Sequence, residues 1–199
     1  MTASPVIVAS GGANLASLRF ALGRLGFDAA VTEDAEKIRS ASHVILPGVG
    51  AARDAMRRLD AAGLTATIPK LTQPVLGICL GMQLLFSGSD EDDARCLGII
   101  DGVARRFPGG EHLPVPQMGW NQLVLERPSA LLEGSADGDY AYFLHSYALP
   151  TGPYTRATTE YGIPFSAVVE QDNFFGTQFH PERSSKAGAR LLANFLRMS

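Results

Sequence analysis

Pro74-Val75-Leu76-Gly77-Ile78-Cys79-Leu80-Gly81-Met82-Gln83-Leu84-Leu85-Phe86 is the stretch that decides the fold. Residues 74–78 read as a short buried strand, and Leu80 to Phe86 have helical character. The handover, Gly77-Ile78-Cys79-Leu80-Gly81, has the Gly-x-nucleophile-x-Gly form of a nucleophile elbow. Such a turn forces the nucleophile into a strained backbone conformation and crowds its neighbours. The positions two before and two after it therefore tolerate almost no side chain. A sulfur at the start of the following helix meets unpaired N–H groups and the positive end of the helix dipole, which favour the reactive thiolate. Taken alone, the pentapeptide also fits a small buried cysteine at a strand end, and more evidence is needed. Cys96, in a polar loop beside Arg95, reads as structural.

Upstream of the elbow, strand-like runs alternate with helical patterns. Pro5 to Val8 is followed by Leu15, Leu18, Leu22 and Leu25 at helical spacing, stopped by Gly26. A brief strand near Ala29-Ala30-Val31 precedes His43-Val44-Ile45-Leu46, then Pro47-Gly48-Val49-Gly50 and a helical stretch to about Leu59. This alternation implies an α/β fold, a mostly parallel central sheet flanked by helices. From Leu97 on, strand candidates come in quick succession: Ile99-Ile100, Leu123 to Leu125, Tyr140 to Phe143, Ser166 to Val169 and Phe174 to Phe179. They extend the sheet or add antiparallel strands in the second half. Ser87 to Arg95 and Phe107 to Pro116 read as surface loops. Lys186 to Met198 reads as an amphipathic closing helix through Leu191, Leu192, Phe195 and Leu196.

The bulk numbers narrow the function. A chain of 199 residues, 46% hydrophobic, is expected to form one domain over residues 1–199. Seventeen basic and twenty acidic residues give a net charge of −3 without a Lys/Arg cluster, so nucleic acid is not the expected partner. The start lacks a signal pattern and no run is long enough for a membrane span, so a soluble cytoplasmic protein is expected. Two cysteines and four scattered histidines offer neither a disulfide framework nor zinc-ligand spacing.

The last strand candidate ends in His180-Pro181-Glu182. Side chains two apart in extended chain share a face, so the imidazole and the carboxylate can sit side by side and the carboxylate can orient the ring. Pro181 biases His180 toward an extended conformation and disfavours continuation into a helix. In an open parallel sheet the carboxyl ends of strands converge on one crevice. Cys79, His180 and Glu182 can then meet as nucleophile, base and orienter. Acyl transfer also needs N–H donors for an oxyanion. The N–H of Leu80 is one candidate, and the Pro47–Gly50 loop supplies another, although an ordinary glycine-rich loop is the competing reading. It lacks the lysine of a P-loop, and the chemistry requires no metal or organic cofactor.

At this point the residues resemble the class I (triad) glutamine amidotransferases, and within them the branch of imidazole glycerol phosphate synthase glutaminase subunits. The resemblance rests on Leu46 to Gly50, Pro74 to Gln83, Met118-Gly119-Trp120-Asn121, His145-Ser146-Tyr147 and Asp172 to Ser184, in order along nearly the whole chain. The Pro-Gly-Val-Gly loop sets it apart from the anthranilate, GMP and pyridoxal phosphate synthase glutaminases. The resemblance implies hydrolysis of glutamine to glutamate and ammonia by Cys79, His180 and Glu182. It also implies delivery of the ammonia to a (β/α)₈ cyclase subunit in a heterodimer serving histidine biosynthesis. By the same resemblance, Gly50, Gln83, Glu91, His145, Ser146 and Tyr147 contact the glutamine substrate, and Val49 and Leu80 form the oxyanion hole. Trp120 then lies at the cyclase interface and Asn14 near the ammonia exit. One departure is Ala9, where the family commonly ends its first strand in an acidic residue. Two rival readings are a glutaminase serving another synthase and a non-catalytic regulatory subunit; the intact Cys, His and Glu speak against the second.

Overall fold

The computed structural model of the chain describes residues 4–9 and 15–198. Its first part comprises β1 (Pro5–Val8), α1 (Leu15–Arg24), β2 (Ala30–Thr32), α2 (Ala35–Ser40), β3 (His43–Gly48) and α3 (Ala52–Ala61). β4 (Val75–Cys79) runs directly into α4 (Leu80–Leu84), followed by β5 (Phe86–Ser89), β6 (Ala94–Arg95) and β7 (Ile100–Arg106). Then come β8 (Gln117–Gln122), β9 (Val124–Leu125), β10 (Tyr140–His145), β11 (Tyr147–Ala148), β12 (Thr155–Tyr161), β13 (Ile163–Gln171), β14 (Phe174–Thr177) and α5 (Ser185–Phe195).

The main sheet has eight strands in the order β2-β1-β3-β4-β14-β13-β12-β9. From β2 to β14 the neighbours are parallel, and β13, β12 and β9 continue antiparallel. Period-two alternation divides the parallel strands between two cores. Ile7, Ile45 and Leu76 face α1 and α5 through Leu18, Leu22, Leu192 and Phe195. Val6, Val8, Val44 and Val75 face the other layer through Ile38, Ala55, Leu59 and Met82. Both faces are covered, as hydrophobic runs in parallel strands require. No helix among the described residues is long and apolar enough to cross a membrane.

Two expectations need correction. Ser87 to Arg95 is not simply a surface loop, because β5 pairs with β7 in parallel and with β6 antiparallel. Phe-Ser-Gly-Ser carries little strand propensity. Gly88 is required by its neighbour, since a Cβ there would lie 2.9 Å from the Ala94 carbonyl oxygen. In the second expected loop, Phe107 is buried, edge-on to Phe165. α2, β8 and β12 were not expected from the sequence. α2 carries a local signal: the Asp34 carboxylate accepts from the N–H groups of Glu36 and Lys37 as an N-cap.

Candidate active site

The register of three strands assembles the site. Gly48 of β3 pairs with Cys79 at the end of β4, and Thr177 of β14 pairs with Ile78. The Pro47–Gly50 loop, the elbow and the Gln178–Glu182 segment therefore leave the sheet side by side. Cys79 sits at φ 54°, ψ −112°, outside the conformations ordinary residues favour. Its glycine neighbours are small for a steric reason. A Cβ on Gly77 would come within 2.6 Å of the Gly81 carbonyl oxygen, and one on Gly81 within 1.8 Å of the Leu46 carbonyl oxygen. The elbow is thus wedged against β3 by backbone on backbone.

His180 lines the same cleft as Cys79, near enough for the sulfur to raise its pKa, and its Nδ1 lies 3.0 Å from Glu182 Oε1. With Nδ1 committed to the carboxylate, Nε2 is the ring nitrogen left for another partner. The geometry behind this pairing differs from expectation. His180 is extended at φ −95°, ψ 100°, but Pro181–Arg183 form a 3₁₀ turn, which carries Glu182 back to the ring. Proline suits that turn because its fixed φ matches a first helical residue and its missing N–H is not needed there. Ser184 secures the turn: its hydroxyl donates to the His180 carbonyl at 2.7 Å and accepts from the Tyr142 N–H at 2.9 Å. Burial pulls the His180 pKa down, but hydrogen bonds to Cys79 and Glu182 and the charges of both outweigh it, pushing it up to about 10.

A cleft of about 340 Å³ opens onto the triad, at the small end of ligand pockets. Cys79, His180 and Glu182 line it together with Val49, Gly50, Leu80, Gln83, Glu91, His145, Ser146 and Tyr147. Glu91 also caps α3: its Oε2 accepts from the Ala52 N–H at 2.8 Å, where Ala51 offers no side-chain cap. Trp120 stands apart on β8, about half exposed at 52%. Asn14 lies outside the described residues. For the half-buried Cys96, burial and the nearby charge of Glu91 push the thiol up to about 11, in keeping with a structural role. Two residues not expected from the sequence also meet the Cys79 sulfur: Gln178, whose Nε2 is 3.7 Å from it, and Leu144, whose carbonyl oxygen accepts from it at 3.7 Å. Gln178 carried a signal only in hindsight, as a polar residue within the apolar run Phe174 to Phe179.

His145 is buried against Phe107 and Phe165, and its Nδ1–H donates to the Tyr147 carbonyl at 2.8 Å. Nε2 remains a buried acceptor with no protein partner. Burial lowers its pKa to about 4; the Tyr147 bond opposes the shift and the charge of His180 adds to it. The unfolded chain binds this proton near pH 6.5 and the folded chain only near 4. Stability is therefore expected to fall as pH drops from 6.5 toward 4, by about 3 kcal/mol from this group. Urea denaturation at pH 7 and pH 4.5 should show a smaller loss for His145→Gln than for the wild type. Equal losses would mean that His145 does not titrate in this way.

Thiol, imidazole and carboxylate gathered at the carboxyl end of a covered α/β sheet are the groups that nucleophilic acyl transfer employs. The family model described as "Glutamine amidotransferase class-I" matches residues 7–198. The imidazole glycerol phosphate synthase subunit HisH 2 of Legionella pneumophila (strain Paris) is 54% identical over 93% of this chain and 93% of its own. The HisH subunit of Xanthomonas axonopodis pv. citri (strain 306) is 51% identical over 97% of this chain and 96% of its own. Among solved structures, a glutamine amidotransferase superposes with TM-score 0.75 at 20% identity, covering 96% of each chain. PurLQS from Thermotoga maritima gives 0.74 at 20% identity, covering 98% of each chain; at such identities these two speak for the fold alone. The chain belongs to the class I glutamine amidotransferases, in the family of the imidazole glycerol phosphate synthase HisH subunits.

Proposed function

We propose that the chain is the glutaminase subunit of an imidazole glycerol phosphate synthase, a single glutaminase domain working in the cytoplasm. It hydrolyses glutamine and passes the ammonia to a cyclase subunit for histidine biosynthesis. The observation that carries this reading is that Cys79, His180 and Glu182, the last two hydrogen-bonded at 3.0 Å, meet on one cleft sized for a small amide.

In the proposed reaction, the Cys79 thiol gives its proton to His180 Nε2 and the sulfur attacks the side-chain amide carbon of glutamine. The carbonyl oxygen becomes an oxyanion, held by the backbone N–H groups of Leu80 and Val49. Collapse breaks the carbon–nitrogen bond, and ammonia departs with the proton returned by the imidazolium. Water then gives a proton to His180 and attacks the thioester; the carbon–sulfur bond breaks and glutamate leaves. Glu182 keeps the ring oriented and balances its charge throughout. Gln83 and Glu91 suit the polar groups of the amino acid end, with Gly50, His145, Ser146 and Tyr147 closing the same pocket.

The surface of the β8–β10 pair supports docking of the cyclase. Met118, Trp120 and Tyr140 expose apolar side chains on one face, and Trp120 stacks edge-on against Tyr142, over which the Arg183 guanidinium lies at 4.7 Å. An exposed tryptophan among aromatics, backed by an arginine, has the composition of an interface hot spot. The resemblance adds Asn14 near the ammonia exit.

The deciding assay measures glutamate release by the chain alone, with cyclase, and with cyclase plus its nucleotide substrate. A rise of at least about tenfold at the last step is expected, within the usual span of allosteric coupling. No acceleration by the cyclase, or acceleration by a different synthase, would defeat this assignment. Trp120→Ala should weaken association with the cyclase by about 30-fold or more while the variant stays folded.

A further inference from the structure

Gln178 stands immediately beyond β14, between that strand and His180. It is fully buried, at 0% exposure, and does not line the cleft. Its backbone N–H is taken by the Ala167 carbonyl at 2.9 Å, and its side chain is held at both ends. Oε1 accepts from Gln83 Nε2 at 3.0 Å, and Nε2 lies 3.7 Å from the Cys79 sulfur. Gln83 Nε2 also donates to the Tyr147 carbonyl at 2.9 Å.

The direction of these bonds follows from the inventory of donors and acceptors. A backbone carbonyl only accepts, so Gln83 must turn its NH₂ group toward Tyr147. The same NH₂ group meets Gln178, which must therefore present its oxygen there. The NH₂ of Gln178 is left facing the sulfur. A further partner of the sulfur besides His180, the Leu144 carbonyl at 3.7 Å, accepts only from a protonated thiol. Once the thiol proton moves to His180, that contact sets two electron-rich atoms against each other. The Gln178 N–H is then the buried amide donor directed at the anion, and such bonds strengthen when the acceptor is charged and water is excluded.

We propose that Gln178 is a further catalytic residue: its Nε2–H stabilises the Cys79 thiolate before attack and again as the sulfur leaves the thioester, with Gln83 and the Tyr147 carbonyl fixing its direction. The inference rests on the glutaminase reading above and deepens it. It also gives Gln83 a second task, since the residue that lines the substrate cleft orients the donor to the nucleophile from behind.

The test uses the full chain with its cyclase and compares Gln178→Leu and Gln178→Met with the wild type. Two quantities are measured: the kcat and KM for glutamine, and the pH dependence of Cys79 alkylation by iodoacetamide, read at Cys79 by mass spectrometry. Loss of a donor to a reacting anion should lower kcat by about 10²-fold. KM should change little, and ammonia-dependent turnover should persist. The alkylation profile should move to higher pH by about one unit, a change that loss of packing alone does not produce. Gln83→Leu, assayed by alkylation in the absence of glutamine, should move the profile the same way. Its profile decides between the outcomes should both Gln178 variants fail to fold. Profiles and kcat within threefold of wild type in the folded variants would overturn the proposal. A wild-type chain without glutaminase activity would instead overturn the reading on which it rests.

Discussion

Replacing Cys79 by alanine is expected to abolish glutamine-dependent turnover of the complex with the proposed cyclase partner and to leave ammonia-dependent turnover intact. The substitution removes one atom, the sulfur that would attack the amide, and leaves the Cβ and backbone in place. Alanine accepts the φ of 54° no worse than cysteine does, so the elbow and the sheet around it should persist. Without the nucleophile, the remaining imidazole and N–H donors can only assist water, and loss of such a group costs about 10⁴-fold or more in rate. Glutamate release should fall to background, while ammonium salt supplied directly bypasses the subunit. The measurement is synthase turnover with each nitrogen source. Equal loss of both would show that Cys79 serves the assembly rather than the hydrolysis.

Gly81→Ala, in α4 where it packs against β3, is expected to be among the most damaging single-methyl changes around the elbow. The added carbon would lie 1.8 Å from the Leu46 carbonyl oxygen, 2.8 Å from its carbon and 3.2 Å from the Pro47 carbonyl carbon. Each of these is backbone in β3, a strand paired on both sides, so no flexible side chain can move away. Relief requires β3 to part from α4, and overpacking of this kind costs about 3 kcal/mol or more. The Pro47–Gly50 loop would shift with β3, so surviving folded protein should also lose activity. Gly23→Ala is the matched control. It lies in α1, nothing meets its Cβ within 4 Å, and its stability should stay level or rise by up to about 1 kcal/mol. Urea unfolding of both variants checks the pair; a Gly81→Ala midpoint near wild type would show that the close approach of α4 to β3 is not rigid.

Much of this was legible in the chain alone. The alternation of strand and helix, the elbow and the strand that ends before His180 all depend on near neighbours in the chain, where hydrophobic period and glycine sterics act. The misses share a cause. Phe-Ser-Gly-Ser became β5 because β7 and Ala94 lie beside it, not because its residues favour a strand. Glu182 reached His180 through a 3₁₀ turn held by Ser184 and Tyr142, a residue from a different strand.

By itself the sequence determined which residues could do chemistry, where the backbone must turn sharply, and that both faces of a parallel sheet must be covered. Tertiary structure alone decided that β14 lies beside β4, that Gln178 and His180 therefore reach the sulfur, and that Glu91 caps α3. Strand order carries no local signal: it is set by which hydrogen-bonding edges and apolar faces fit together across about a hundred residues of chain. Those pairings, rather than any short motif, bring Cys79, His180 and Glu182 to one cleft.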